Sequence, residues 1–130
     1  ERPKVESVFY RNPAGSLATL DFSEFSGVFE WGDIKQNRWE EGVEIIFEKG
    51  KLTIDLPPAF LRNQAAKVKL YKDDGTTRQV ISPQADWTWA FRRQEEAFIN
   101  NLLNGTTPLA SAKDGLQDFY FMEDIWKHLC

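Results

Sequence analysis

Trp31 and Trp39 bracket the stretch E-W-G-D-I-K-Q-N-R-W-E-E, Glu30 to Glu41, where aromatic and basic side chains crowd together near the end of a strand-like run. Indole rings stack on the apolar face of a sugar ring, and Lys35, Gln36, Asn37, Arg38 and Glu40 offer polar partners for its hydroxyls. The candidate substrate-binding residues are therefore Trp31, Lys35, Arg38 and Trp39. In the alternative reading both tryptophans fill an interface on the second face of a sheet, with the charges ringing it.

Other chemistries lack their residues. The eight glycines never form G-x-G-x-x-G or a phosphate loop, so no nucleotide cradle is present. His128 is the only imidazole, and at the end of a helical run it reads as a helix-end cation rather than a metal ligand. Without a second imidazole, a serine or cysteine nucleophile has no ready base. Glu40-Glu41, Asp73-Asp74 and Glu95-Glu96 are paired acids, but their turn and helix-face settings read as solvated charge. No catalytic, cofactor-binding or metal-ligating residue is assigned.

Composition narrows the partners. A chain of 130 residues with 42% hydrophobic and 14% aromatic content is the size of one domain with one core, residues 1–130. Sixteen Lys and Arg against 20 Asp and Glu give a net charge of -4, the wrong sign for a phosphate-backbone binder, so nucleic acid is excluded as a partner. No stretch approaches the roughly 18 apolar residues of a membrane span. The single cysteine, Cys130, cannot close an intrachain disulfide, which is compatible with a reducing cytoplasm, the expected location. A start on Glu1 directly before a strand-like run reads as a boundary within a longer protein, an appearance that a processed natural N-terminus shares.

The elements that must position these residues follow from pattern. Strand-length runs at Val5 to Arg11, Leu17 to Phe22, Phe25 to Ile34, Gly42 to Glu48, Lys51 to Leu56, Lys67 to Tyr71 and Arg78 to Ile81 are separated by turn residues. Asn12-Pro13-Ala14-Gly15, Lys49-Gly50 and Asp73-Asp74-Gly75 mark hairpins, and Pro57-Pro58 interrupts the sheet before a loose turn at Ala59 to Asn63. Along the strand from Lys51, Leu52, Ile54 and Leu56 face inward while Thr53 and Asp55 face out. The first strand puts Val5 and Phe9 on one face and Val8 and Tyr10 on the other. The second sets Leu17 against Ala18, Leu20 and Phe22.

Two helices close the chain. Phe91, Phe98, Ile99, Leu102 and Leu103 fall at helical spacing, and Asn104-Gly105 with Pro108 ends the run. Ser111 with Asp114 three residues on is a capping-box-like start, followed by Leu116, Phe119, Met122, Trp126 and Leu129 on one stripe. The expected fold is α+β: an open, mostly antiparallel sheet of about six to seven strands with two C-terminal helices packed on one face. A helix is ~10 Å wide and strands lie ~4.8 Å apart, so two helices cover about four strands of one face. The rest must meet a partner subunit, another domain or a ligand.

The segments G-V-E-I-I-F-E-K-G-K-L-T-I-D-L-P-P (Gly42 to Pro58) and W-T-W-A-F-R-R-Q-E-E-A-F-I-N-N-L-L-N-G-T-T-P, continuing through S-A-K-D-G-L to Leu129, resemble the C-terminal domain of the glucose-fructose oxidoreductase, inositol dehydrogenase and MocA (Gfo/Idh/MocA) family. The early strands match in kind, so the resemblance covers most of the chain. It implies an N-terminal dinucleotide-binding (Rossmann) domain outside this sequence, NAD or NADP bound there, and a sugar, polyol or related carbonyl as substrate. It also implies a homo-oligomer formed through the open sheet face. The family's glycine-rich loop, Glu-Lys-Pro segment and catalytic helix lie upstream of anything matching here, so this chain alone is expected to be inactive. The competing class is a stand-alone small-molecule binding or protein interaction module.

Overall fold

The computed structural model describes residues 2–12, 15–32 and 39–129. In chain order the elements are β1 (Lys4–Asn12), β2 (Gly15–Asp21), β3 (Ser26–Trp31), β4 (Glu41–Phe47), β5 (Gly50–Leu56), β6 (Lys67–Asp73), β7 (Arg78–Ile81), α1 (Ala90–Asn104) and α2 (Ala112–Lys127). The α+β class, the seven strands and the two C-terminal helices agree with the sequence. The strands are shared between two open antiparallel meanders, β1-β2-β3 and β4-β5-β6-β7. Two compact units result, one holding residues 1–37 with 107–130 and the other residues 38–106. The turn at Pro13-Ala14 and the strand end at Asp33-Ile34 lie outside the described residues.

In the first unit, a register shift between Val5 and Ser7 changes the face assignment expected for β1. Val5 stands opposite Leu20, Ser7 opposite Thr19 and Val8 opposite Ala18, which leaves Glu6 as the extra residue of a β-bulge. A bulge reverses the side-chain parity beyond it, so Val5 shares its face with Val8 and not with Phe9. That face continues through Ser16, Ala18 and Leu20 of β2 to Phe29 and Trp31 of β3.

Helix α2 covers this face. Ile125 is 2% exposed and joins Val5, Ala18 and Leu20 in the buried core, with Val8, Phe22, Trp31 and Phe121 packed around it. Phe121 meets Phe29 edge-on at 6.1 Å. The residues that α2 turns to the sheet are thus the partly buried Phe121 and the buried Ile125, one helical turn apart. The stripe Leu116, Phe119, Met122 and Trp126 is exposed on the same helix. Both sets have helical spacing, and periodicity alone does not say which of two apolar stripes meets the sheet. The helix starts as its sequence indicates: Ser111 Oγ accepts from the Asp114 amide, and the Asp114 carboxylate accepts from the Ser111 amide at 2.8 Å.

In the second unit, directly opposed residues place Val43, Ile45, Leu52, Ile54, Val68, Leu70 and Ile81 on one face of the four-stranded sheet. Glu44, Lys51, Thr53, Asp55, Lys67, Lys69 and Tyr71 share the other with Ile46 and Val80. The one-sided alternation expected of β5 holds for β5 and is shared by β6, whereas Ile46 on β4 and Val80 on β7 break it. The apolar face is nonetheless open, with Val43 48%, Ile45 41% and Phe47 52% exposed. The β4–β5 turn needs Gly50 because a Cβ there would run into the carbonyl oxygen of Tyr71 on β6. The β6–β7 turn carries Gly75 at φ +90 beside Asp74, whose Oδ1 accepts from the amides of Thr76 and Thr77.

Helix α1 buries none of its residues. It ends at Gly105, which sits at φ 63 and donates its N–H to the Asn101 carbonyl, as the Asn-Gly signal indicates. Its ring contacts lie in the first turn, where Phe91 meets Trp89 at 5.6 Å and Phe60 at 5.8 Å.

The burial on α2 sets a direct comparison. Ile125→Ala is expected to destabilise the first unit by about 2–5 kcal/mol in denaturant unfolding, because it leaves a cavity against β1 and β2. Phe119→Ala on the exposed stripe is expected to stay within about 0.5 kcal/mol of the parent. A larger loss for Phe119→Ala than for Ile125→Ala would show that α2 packs by its other stripe.

Candidate functional site

The four residues singled out by the sequence fall in different settings. Trp31 ends β3 opposite Ser16, stacks on Phe29 at 5.3 Å and joins the packing around the first unit's core. Trp39 belongs to the second unit and is 54% exposed. Lys35 and Arg38 lie outside the described residues.

Trp39 lines a hollow of about 490 Å³ at the start of β4, together with Glu41, Asp55, Pro57, Gln64 and Lys67. Two strand registers build it. Glu41 pairs with Leu56 at the end of β5, and Asp55 stands directly opposite Lys67 at the start of β6. The connection from β5 to β6, residues 57–66, supplies the remaining wall. Trp39 was legible as a candidate from its aromatic character amid polar neighbours. Asp55 was legible only as an outward-facing residue. Gln64 and Lys67 were missed, because their approach to Trp39 depends on how the 57–66 connection returns to the sheet.

The wall is fixed by contacts to the beginning of α1. Trp89 Nε1–H donates to the Ala59 carbonyl at 3.0 Å, and the Arg62 guanidinium lies 4.6 Å from the centroid of the Trp89 ring. An exposed cation–π contact of this kind contributes about 0.5–1 kcal/mol. Leu61 donates its amide to the Pro58 carbonyl at 2.9 Å, which tightens the turn between the two prolines and Arg62.

A second, broader hollow of about 1970 Å³ lies over the polar face of the same sheet and includes Lys51, Thr53, Lys69, Tyr71 and Trp87. Lys51 Nζ pairs with Glu44 at 2.8 Å, and Trp87 is 75% exposed. Both hollows present an indole with carboxylate, amide or ammonium groups, an arrangement that binds polar ring compounds by stacking and hydrogen bonding. Neither is lined by an imidazole that could serve as the base for a hydroxyl nucleophile. His128 lies in the first unit, with Nδ1 2.8 Å from the Asp124 carbonyl at the end of α2. Among the described residues, no group of three or more His, Cys, Asp or Glu is placed to hold a metal ion, and no helix is long and apolar enough to cross a membrane.

The shifted ionisations belong to turns and helix ends. The Thr76 hydroxyl, followed by the Thr76 and Thr77 amides, holds the Asp74 carboxyl below its ordinary value of 3.8. The Ser111 hydroxyl and amide do the same for Asp114. Arg92 is raised by Glu96, and Lys127 by Asp124 and then Glu123. All four groups are solvent-exposed, so these shifts report local structure rather than a catalytic environment.

No family model, curated protein or solved structure matches this chain.

The two lowered carboxyls give a pH prediction. Each favours the folded form fully above pH 3.8, and that contribution is lost as pH falls through the depressed folded-state value. Amide exchange, corrected for its intrinsic pH dependence, is expected to accelerate at Thr76, Thr77 and the first turn of α2 below pH 3.8, before the central strands respond. Simultaneous loss of protection throughout would contradict this local account.

Proposed function

We propose that this chain is the substrate-wall and association domain of a longer cytoplasmic NAD(P)-dependent oxidoreductase acting on a sugar, polyol or related carbonyl compound. The observation that carries the reading is the uncovered apolar face of the β4–β7 sheet, which exposes Val43, Ile45 and Phe47 in a row along β4. Such a face supports a domain completed by a further surface, either another domain or a second copy. The resemblance of Gly42 to Pro58 and Trp87 to Leu129 to the Gfo/Idh/MocA family supplies the reaction class.

In this reading NAD or NADP belongs to an N-terminal dinucleotide-binding domain and supplies or accepts the hydride. The residues of the present chain bind and orient. Trp39 stacks on the ring of the substrate, while Asp55, Gln64 and Lys67 meet its hydroxyls. Lys35 and Arg38 remain proposed substrate contacts on the sequence alone. Trp31 packs against the core of the first unit and is not assigned to this contact set.

A second reading, a stand-alone binding module, draws on the Trp39 hollow being formed entirely by residues 39–67. The two differ in what the isolated chain does. Under the oxidoreductase reading, the purified chain has no turnover with NAD or NADP and a panel of sugars and polyols. It also associates in a concentration-dependent way in sedimentation velocity, and Ile45→Lys abolishes that association. Turnover that survives repurification would overturn the placement of catalysis in another domain. A monomer with saturable polyol binding, lost in Trp39→Ala, would favour the stand-alone module.

A further inference from the structure

The 57–66 connection does two things at once. Its ends, Pro57, Pro58, Gln64 and Ala65, form part of the wall around Trp39. Its middle is clamped to the start of α1, through Trp89 on the Ala59 carbonyl, Arg62 over the Trp89 ring and Phe60 against Phe91. Trp89 is the N-cap residue of α1, and its indole, a donor only, cannot accept from the first amides of the helix. Its indole is committed to the connection instead. No residue of α1 is buried, and this cluster ties the start of the helix to the connection.

We infer that the 57–66 connection is a strap that couples the Trp39 hollow to the position of α1. The coupling is mechanical. Pro57 and Pro58 each have a fixed φ, and the Leu61 to Pro58 hydrogen bond closes the turn that follows them. A stiffened segment clamped in its middle cannot shift at Arg62 without moving its ends. The width of the hollow therefore depends on whether α1 is latched. By thermodynamic reciprocity, filling or reshaping the hollow must alter the latch to the same degree. Trp89 and Arg62 are positioning residues here, since neither lines the hollow. This inference stands on the geometry of the second unit and holds whichever functional reading is correct.

The test uses the full 130-residue chain labelled with 5-fluorotryptophan. Its five indole fluorine signals, Trp31, Trp39, Trp87, Trp89 and Trp126, are assigned by single Trp→Phe variants. Arg62→Met removes the cation from the Trp89 ring without touching the hollow. It is expected to shift the Trp89 and Trp39 signals and leave Trp31 and Trp126 in place. Amide exchange in the first turn of α1 should rise by roughly two- to five-fold, the factor set by losing one exposed cation–π contact. In the reverse direction, Gln64→Ala in the wall is expected to move the Trp89 signal. A Trp39 signal unmoved by Arg62→Met overturns the inference, as does a Trp89 signal unmoved by Gln64→Ala. All five signals shifting together would equally overturn it, because the response would then be general loosening rather than a strap.

Discussion

Seven strands in two open sheets carry more apolar surface than two helices of 15 and 16 residues can cover, and the arrangement of this protein follows from that shortage. Burial is concentrated where α2 meets β1 and β2, on Val5, Ala18, Leu20 and Ile125. The bulge at Glu6 serves this contact, since it brings Val5 and Val8 onto the face that α2 covers. Elsewhere the sheets are held by main-chain pairing and cross-strand contacts, such as the 2.6 Å hydrogen bond between the Ser7 and Thr19 hydroxyls. The apolar face of the β4–β7 sheet and the stripe on α2 stay exposed, which is costly in water unless another surface meets them.

The same shortage shapes the candidate site. With no buried residue, α1 is tied to its unit through Trp89 and Phe91, whose partners sit on the connection that forms one wall of the Trp39 hollow. The hollow is thus bounded by a strand register on one side, where Asp55 faces Lys67, and by a latched strap on the other. Its groups suit recognition of a polar ring. Hydride transfer requires a redox cofactor, which no side chain supplies, and the proposed function therefore divides substrate binding from hydride chemistry.

The sequence was most informative where one residue's conformational preference determines a local structure. Gly75 beside Asp73-Asp74, Gly105 after Asn104, and Ser111 with Asp114 each mark a turn or helix end close to its position in the structure. Alternation along β5 correctly separated Leu52 and Ile54 from Thr53 and Asp55. Alternation misplaced Val5, because a bulge adds one residue without any compositional mark. The choice between the two stripes of α2 was hidden for a related reason: Phe121 with Ile125 and Phe119 with Trp126 are similarly apolar, and only tertiary packing separates them. Trp39 stood out by composition, whereas Gln64 and Lys67 reach the hollow by the path of a connection that sequence spacing does not determine.

The most direct test of the functional account is to sequence the reading frame upstream of the Glu1 codon. The account predicts roughly one further domain or more, opening with a strand, a G-x-G-x-x-G turn and a helix, the pattern that binds a dinucleotide pyrophosphate at a helix N-terminus. A start codon or a secretion signal directly before Glu1 would contradict it and leave the chain as a binding module in its own right.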